Sequence, residues 1–217
     1  FQRNWQAITT DRWVLKCVQG YEIAWVSQPT QRQPPRELVF QETEMNCLSI
    51  EVQSLLQKEA VSEIEETKPN GFISQLFAVP KKDGSIRPVV NLKALNAFVS
   101  PESFKMEGIH RLKDLLQPGD WMTKVDLKDA YFAIPIACHH RQFLRFRWQG
   151  TTYQFNCLPF GLSSAPWVFT KTTKPVMIVL RALGLRLIIY IDDILLLAAD
   201  KRTAQEHTQC LIFLQIG

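Results

Sequence analysis

Three aspartates stand where chemistry can be done. Asp192 and Asp193 are adjacent, and apolar runs flank them: Leu185-Arg186-Leu187-Ile188-Ile189-Tyr190-Ile191 before and Ile194-Leu195-Leu196-Leu197-Ala198-Ala199 after. Such runs read as buried strands, which makes the acidic pair the turn of a hairpin. A polar turn between two core strands is the competing reading, because aspartates bond readily to nearby backbone in tight turns. Against it stands the cost of two like charges in an apolar setting without a neutralising cation. Hard divalent cations prefer carboxylate oxygens and would supply that charge. Asp126 ends another apolar stretch, Trp121-Met122-Thr123-Lys124-Val125-Asp126. If the two strands are neighbours, three carboxylates converge on one sheet edge. Nucleotidyl transfer uses such a cluster to hold two Mg²⁺ ions about 4 Å apart.

A second candidate lies upstream. Phe77-Ala78-Val79-Pro80 and Ile86-Arg87-Pro88-Val89-Val90 read as paired strands, with Asp83-Gly84 at the tip of their hairpin. Lys81, Lys82 and Arg87 on such a hairpin can clamp a triphosphate, or can simply keep the hairpin soluble.

The elements that must position these groups follow from spacing. A helix is expected from Asn46, with Leu48, Val52, Leu55 and Leu56 at helical intervals, and Glu63-Ile64-Glu65-Glu66 as its acidic, solvated tail. Phe72–Pro80 reads as a strand, 91–99 as a helix, and a short helix falls within 104–116. A second hairpin turns about Gln149-Gly150. Ser163 or Ser164 caps a helix with Pro166 in its first turn, which stops at Gly184. Asp200 caps a last helix. Residues 1–45 carry Trp5, Trp13 and Trp25 at irregular spacing and the turn-like Gln31-Arg32-Gln33-Pro34-Pro35-Arg36, which suggests an N-terminal extension over 1–40. The stretch 41–120 then holds the lysine hairpin and 121–217 the carboxylates.

Composition bounds the rest. The 217 residues are 46% hydrophobic and 21% charged, as in globular proteins. Residues 42–66 hold seven acidic side chains and one basic, whereas 81–150 hold twelve basic and seven acidic. The basic middle is a solvated face or a footprint for phosphates. Charges interrupt 177–199, so no span for a membrane is expected there. Five scattered cysteines without a CxxC pair, and no signal peptide, suggest reduced thiols in the cytoplasm or nucleus and no secretion.

Four blocks, in order, resemble reverse transcriptases of retroelements: Phe77-Ala78-Val79-Pro80-Lys81-Lys82-Asp83-Gly84-Ser85-Ile86-Arg87-Pro88, Val125-Asp126-Leu127-Lys128-Asp129-Ala130-Tyr131-Phe132, Leu158-Pro159-Phe160-Gly161-Leu162-Ser163-Ser164-Ala165-Pro166 and Tyr190-Ile191-Asp192-Asp193. Phe104-Lys105-Met106-Glu107-Gly108-Ile109-His110 and the tryptophan-bearing N-terminal region look most like DIRS-type, tyrosine-recombinase retrotransposons. The resemblance implies an α+β right-hand polymerase with fingers and palm, an antiparallel palm sheet and helices on one of its faces. It implies Asp126 and Asp192 as main metal ligands, with Asp193 as the third carboxylate, and Mg²⁺ (or Mn²⁺) as cofactor. It assigns Lys81 or Lys82 and Arg87 to the triphosphate, Asp129 and Ala130 to backbone contacts with phosphates, and Tyr131 to exclusion of the ribose 2′-hydroxyl. Phe160 and Gly161 match the loop beside the nucleotide, where retroviral enzymes carry Gln in place of Phe160. Implied partners are an RNA or DNA template with primer and deoxynucleoside triphosphates; oligomeric state is open. The family continues with a primer-gripping hairpin, a thumb and usually RNase H, so the expectation is a fragment ending after the Tyr190–Asp193 block. The rival expectation is a catalytically silent or host-retained fragment that binds nucleic acid or a partner.

Overall fold

A computed structural model describes residues 2–65, 71–80 and 86–216. In chain order its helices are α1 (Gln2–Ile8), α2 (Arg12–Cys17), α3 (Glu42–Gln57), α4 (Lys93–Asn96), α5 (Ile109–Leu115), α6 (Ala165–Ala182) and α7 (Lys201–Ile216). Its strands are β1 (Val61–Ile64), β2 (Ile73–Pro80), β3 (Ile86–Asn91), β4 (Trp121–Asp126), β5 (Arg145–Trp148), β6 (Thr151–Phe155), β7 (Arg186–Tyr190) and β8 (Asp193–Ala198). The fold is mixed α+β, as expected. Two compact units interleave in sequence: Phe1–Val18, Ser103–Ala130 and Pro166–Gly217 form one, Gln19–Glu102 and Tyr131–Ala165 the other. The stretches 1–40, 41–120 and 121–217 each contribute to both.

The first unit holds a three-stranded antiparallel sheet in the order β4-β8-β7. Period-two alternation sets its faces. In β8, Ile194, Leu196 and Ala198 are buried, while Asp193 and Leu195 on the other face are half-buried. Helix α7 packs on β8 and β4. It starts as expected at Asp200, whose carboxylate accepts from the Thr203 backbone N–H and hydroxyl. The N-terminal helices belong to this unit. Asp11 caps α2 by accepting from the Trp13 and Val14 N–H groups, and Trp13 meets Trp167 edge-on with Lys171 over its ring. Cys17 is buried with Sγ 3.4 Å from Thr172 Oγ1, and burial pushes its thiol pKa up to about 11. That thiol is a packing group rather than a nucleophile.

The second unit holds a five-stranded sheet, β1-β6-β5-β2-β3, in which only the β2–β5 pairing is parallel. Phe146, Leu48, Leu95, Leu144 and Leu158 lie fully buried in this unit. The Gln31 side-chain amide caps the start of β2 by bonding both the N–H and the carbonyl of Ile73. Gly71 is required by close approach, since a Cβ there would come within 2.7 Å of the Gln142 carbonyl and Arg145 guanidinium. Three expectations are corrected. Helix α3 starts at Glu42, not after Asn46, because Gln41 and Glu44 form a reciprocal capping box ahead of the apolar stripe. Glu63 and Ile64 are not a helical tail but part of β1, whose pairing with β6 supplies backbone partners that no local pattern announces. The helix expected over 91–99 is reduced to the single turn α4.

All five cysteines are free thiols. Among the described residues no helix is long and apolar enough to cross a membrane.

Candidate active site on the three-stranded sheet

β4 and β8 pair so that Asp126 stands directly opposite Asp193 at the sheet rim. The Leu127 N–H then donates to the Asp192 carbonyl at 2.8 Å, which carries the ladder one step past the strand ends. β7 and β8 are joined by a two-residue turn, Ile191-Asp192, with Tyr190 opposite Asp193. Of the two turn residues only Ile191 has positive φ, at 56°. That is the pattern of a type II′ turn, which normally places glycine there. A β-branched residue in this region is strained. Its half-buried side chain lines a cavity of about 180 Å³ together with Thr173, Met177, Arg181 and Ile189.

Two ion pairs brace β7, the strand that leads into the carboxylate turn. Glu107 Oε2 accepts from Arg181 Nη2 at 2.6 Å and from the Ile189 N–H at 3.2 Å, and the same guanidinium nitrogen donates to the Leu187 carbonyl. The stretch Phe104–His110, notable in sequence only for its resemblance, thus hooks β7 to α6. At the far end Arg186 grips Asp120 with both terminal nitrogens, at 2.8 and 2.5 Å, and also bonds the Leu115 carbonyl. The Arg186 hydrogen bond holds the Asp120 carboxyl pKa below its usual range.

The cation in the site is one that sequence reasoning passed over. Lys124 Nζ lies 2.9 Å from Asp193 Oδ1, with side-chain exposures of 66% and 45%. The hydrogen bond and charge of Asp193, then the charges of Asp126 and Asp192, raise the Lys124 pKa above the ordinary lysine value. A signal was available: Lys124 is two residues before Asp126, and strand periodicity puts both on one face. No group of three or more His, Cys, Asp or Glu among the described residues is arranged to hold a metal ion. The donor chemistry nevertheless fits one. The carboxylates are hard oxygen donors, and all three already act electrostatically on a single bound cation.

The residues assigned to the nucleotide fall mainly in the other unit. Lys81 and Lys82 lie outside the described residues. Arg87 is exposed on β3, opposite Val79. Asp129 has φ 55°, a conformation aspartate tolerates, and the buried Ala130 opens a short 3₁₀ turn, Ala130–Ala133. Tyr131 is 5% exposed and packs on the half-exposed Phe160 ring at 4.8 Å between centroids. Gly161 has φ 92°, and a Cβ there would lie 3.6 Å from the Val90 carbonyl oxygen, an ordinary contact distance. Its carbonyl accepts from Asn96 Nδ2 at 2.9 Å, while Asn96 Oδ1 accepts from the Ser163 N–H. Asn96 therefore clamps the loop that carries Phe160 and Gly161, a role unreadable from its place at the end of α4. Ser164, one of two expected caps for α6, instead buries a hydroxyl with no hydrogen-bond partner among the described residues.

Residues 79–213, more than half of the chain, match the family described as reverse transcriptase (RNA-dependent DNA polymerase). The chain belongs to that family. It is similar to the Transposon Tf2-3 polyprotein of Schizosaccharomyces pombe, with 28% identity over 195 residues that cover 89% of this chain and 14% of the polyprotein. The Tf2-7 polyprotein of the same organism matches over the same shares at 27% identity. The chain thus spans about one seventh of the length of these relatives. In fold it resembles the prototype foamy virus protease–reverse transcriptase, with TM-score 0.67 and 23% identity over 87% of this chain and 24% of that one. A selenomethionine-labelled mutant of the same viral protein gives TM-score 0.72 and 21% identity over 90% and 26%. The architecture is that of polymerase fingers and palm, with helices on one face of the palm sheet.

Proposed function

We propose that the chain is the fingers–palm part of a retrotransposon RNA-directed DNA polymerase, which extends a primer 3′-hydroxyl with deoxynucleoside triphosphates on an RNA or DNA template. The observation that carries this reading is the register that sets Asp126 opposite Asp193, with Asp192 in the adjoining turn. The match over 89% of the chain to transposon polyproteins supports the retrotransposon origin. Phe104–His110 supports a DIRS-type element within that group.

Asp126 and Asp192 would be the main holders of two Mg²⁺ ions, with Asp193 assisting. When bound, such ions supply activation of the attacking hydroxyl and neutralise charge at the α-phosphate as pyrophosphate leaves. Arg87 offers a planar fork suited to phosphate oxygens, and Lys81 or Lys82 adds a point charge. The Asp129 and Ala130 backbone supports the phosphates. Tyr131 would exclude the ribose 2′-hydroxyl, and its ring packs on Phe160 at 4.8 Å between centroids.

Primer extension by the complete polypeptide tests the reading. Asp126→Asn should lower the Mg²⁺-dependent rate by at least about a hundredfold, since even groups behind a metal's direct ligands are worth ten to a hundredfold. Unchanged extension would assign the chemistry elsewhere. Tyr131→Ala should admit ribonucleotides. Loss of stability of about 3–5 kcal/mol with unchanged sugar choice would make Tyr131 a packing residue only.

A further inference from the structure

Lys124 has no place in the reaction proposed above, yet it is the cation paired with the carboxylate rim. It sits on the same face of β4 as Asp126, two residue pairs back from the rim, and reaches diagonally across to Asp193 on β8. Its ammonium meets Asp193 Oδ1 at 2.9 Å. Both partners are largely solvated, and an exposed pair of this kind contributes little to stability. Coulomb attraction still falls only as the inverse of distance at this range. A monovalent cation on the side chain is therefore held where a divalent cation must bind.

We propose that Lys124 is a built-in counter-ion of the carboxylate site, a positioning residue that keeps Asp193 paired and weakens divalent-metal binding until metal displaces it. This rests on the reading of Asp126, Asp192 and Asp193 as metal-holding groups. The ammonium neutralises Asp193 when no metal is bound, and the four-carbon stem lets it swing away without backbone movement. The exposure of the Lys124 side chain leaves it room to do so. An arginine at 124 would preserve the charge, and a methionine would keep the stem and remove the charge.

The test is Mn²⁺ binding to the 217-residue chain, followed by electron paramagnetic resonance of free Mn²⁺ at low ionic strength. Lys124→Met should bind Mn²⁺ roughly two- to fivefold more tightly than the parent, the scale of one lost charge contact between solvated groups. Lys124→Arg should bind as the parent does. Raising salt should narrow the gap between parent and Lys124→Met, because screening weakens the lysine's hold. Equal or weaker binding by Lys124→Met overturns the proposal, as does tightening by Lys124→Arg equal to that of Lys124→Met. Asp126→Asn separates the two claims. If it abolishes Mn²⁺ binding while Lys124→Met leaves affinity unchanged, only the lysine's role falls. If neither parent nor Lys124→Met binds Mn²⁺, or Asp126→Asn binds it as the parent does, the carboxylate reading falls and takes the lysine's role with it. Thermal unfolding of the metal-free variants should show both folded, as expected for an exposed pair.

Discussion

Two hairpins in this chain close on two-residue turns, and they are made differently. Between β5 and β6, Gln149 and Gly150 both have positive φ, at 50° and 78°. That matches a type I′ turn, whose twist suits the strands it joins, and glycine takes one of the two positions at no steric cost. Between β7 and β8 the residue with positive φ is Ile191. For a β-branched side chain that backbone costs on the order of 1–2 kcal/mol. The first turn is composed for the hairpin's own stability. The second carries strain at a half-buried β-branched residue, and the two residues that follow are Asp192 and Asp193. Both turns hold a non-glycine residue at positive φ, but only the second places a β-branched side chain there, and strain of that kind points to where structure serves chemistry.

The comparison can be broken most sharply at the carboxylates. Asp192→Asn in the complete polymerase should cost at least about a hundredfold in extension rate, whereas Gln149→Ala should leave the rate unchanged. Equal effects would erase the distinction between the turns. Next in size, Gly150→Val should destabilise by about 1–2 kcal/mol in chemical denaturation. The space around Gly150 is open, so the penalty is conformational rather than steric. Ile191→Val keeps the branching and should move stability by less than about 1 kcal/mol. Ile191→Gly relieves the backbone but gives up the side chain's packing, so its stability should change by about 1 kcal/mol or less. Its extension rate should fall by about tenfold as the turn loosens. A glycine variant that gained stability and kept its rate would show that the strain serves nothing.

The smallest effect concerns acid stability. Asp120 has a depressed pKa in the fold, so its pairing with Arg186 stabilises above the unfolded carboxyl's pKa, about 3.9, and is lost as pH falls through the folded value. Asp120→Asn should lower stability at neutral pH, where the pairing contributes in full, and flatten that part of the acid limb, so that parent and variant converge as pH falls. An unchanged acid limb would remove Asp120 as its source.

Much of this was legible in the sequence because strand periodicity survives local reading. β2, β3, β4 and the Gln149-Gly150 turn fall where alternation and turn residues put them, and β4 matches its expected bounds residue for residue; the carboxylate turn is Ile191-Asp192 rather than the acidic pair itself, because Asp193 pairs in the sheet with Asp126 and Tyr190. β1 did not, because an acidic run looks solvated until β6, about ninety residues later, is known to pair with it. The tryptophans of the N-terminal region had no period because they answer to different partners. Trp13 packs on Trp167, while Trp25 stacks on His140 and meets Phe143 edge-on. Lys124 and Asn96 show the other limit. Each acts on a group that spacing alone does not bring near, Asp193 for one and the Gly161 carbonyl for the other. The pairing of the carboxylate strands was legible because two signals, an acidic pair between apolar runs and an aspartate ending a strand, pointed to the same sheet edge.

The central claim is that the rim formed by Asp126, Asp192 and Asp193 is where metal is held. An anomalous-difference map at the manganese edge, from crystals of this chain grown with Mn²⁺, tests it directly. The account predicts a peak at the rim, within coordination distance of Asp126 and Asp192, with Lys124 swung away from Asp193. A rim without a peak at saturating Mn²⁺, with Asp126 and Asp192 directed to separate surfaces, would contradict it.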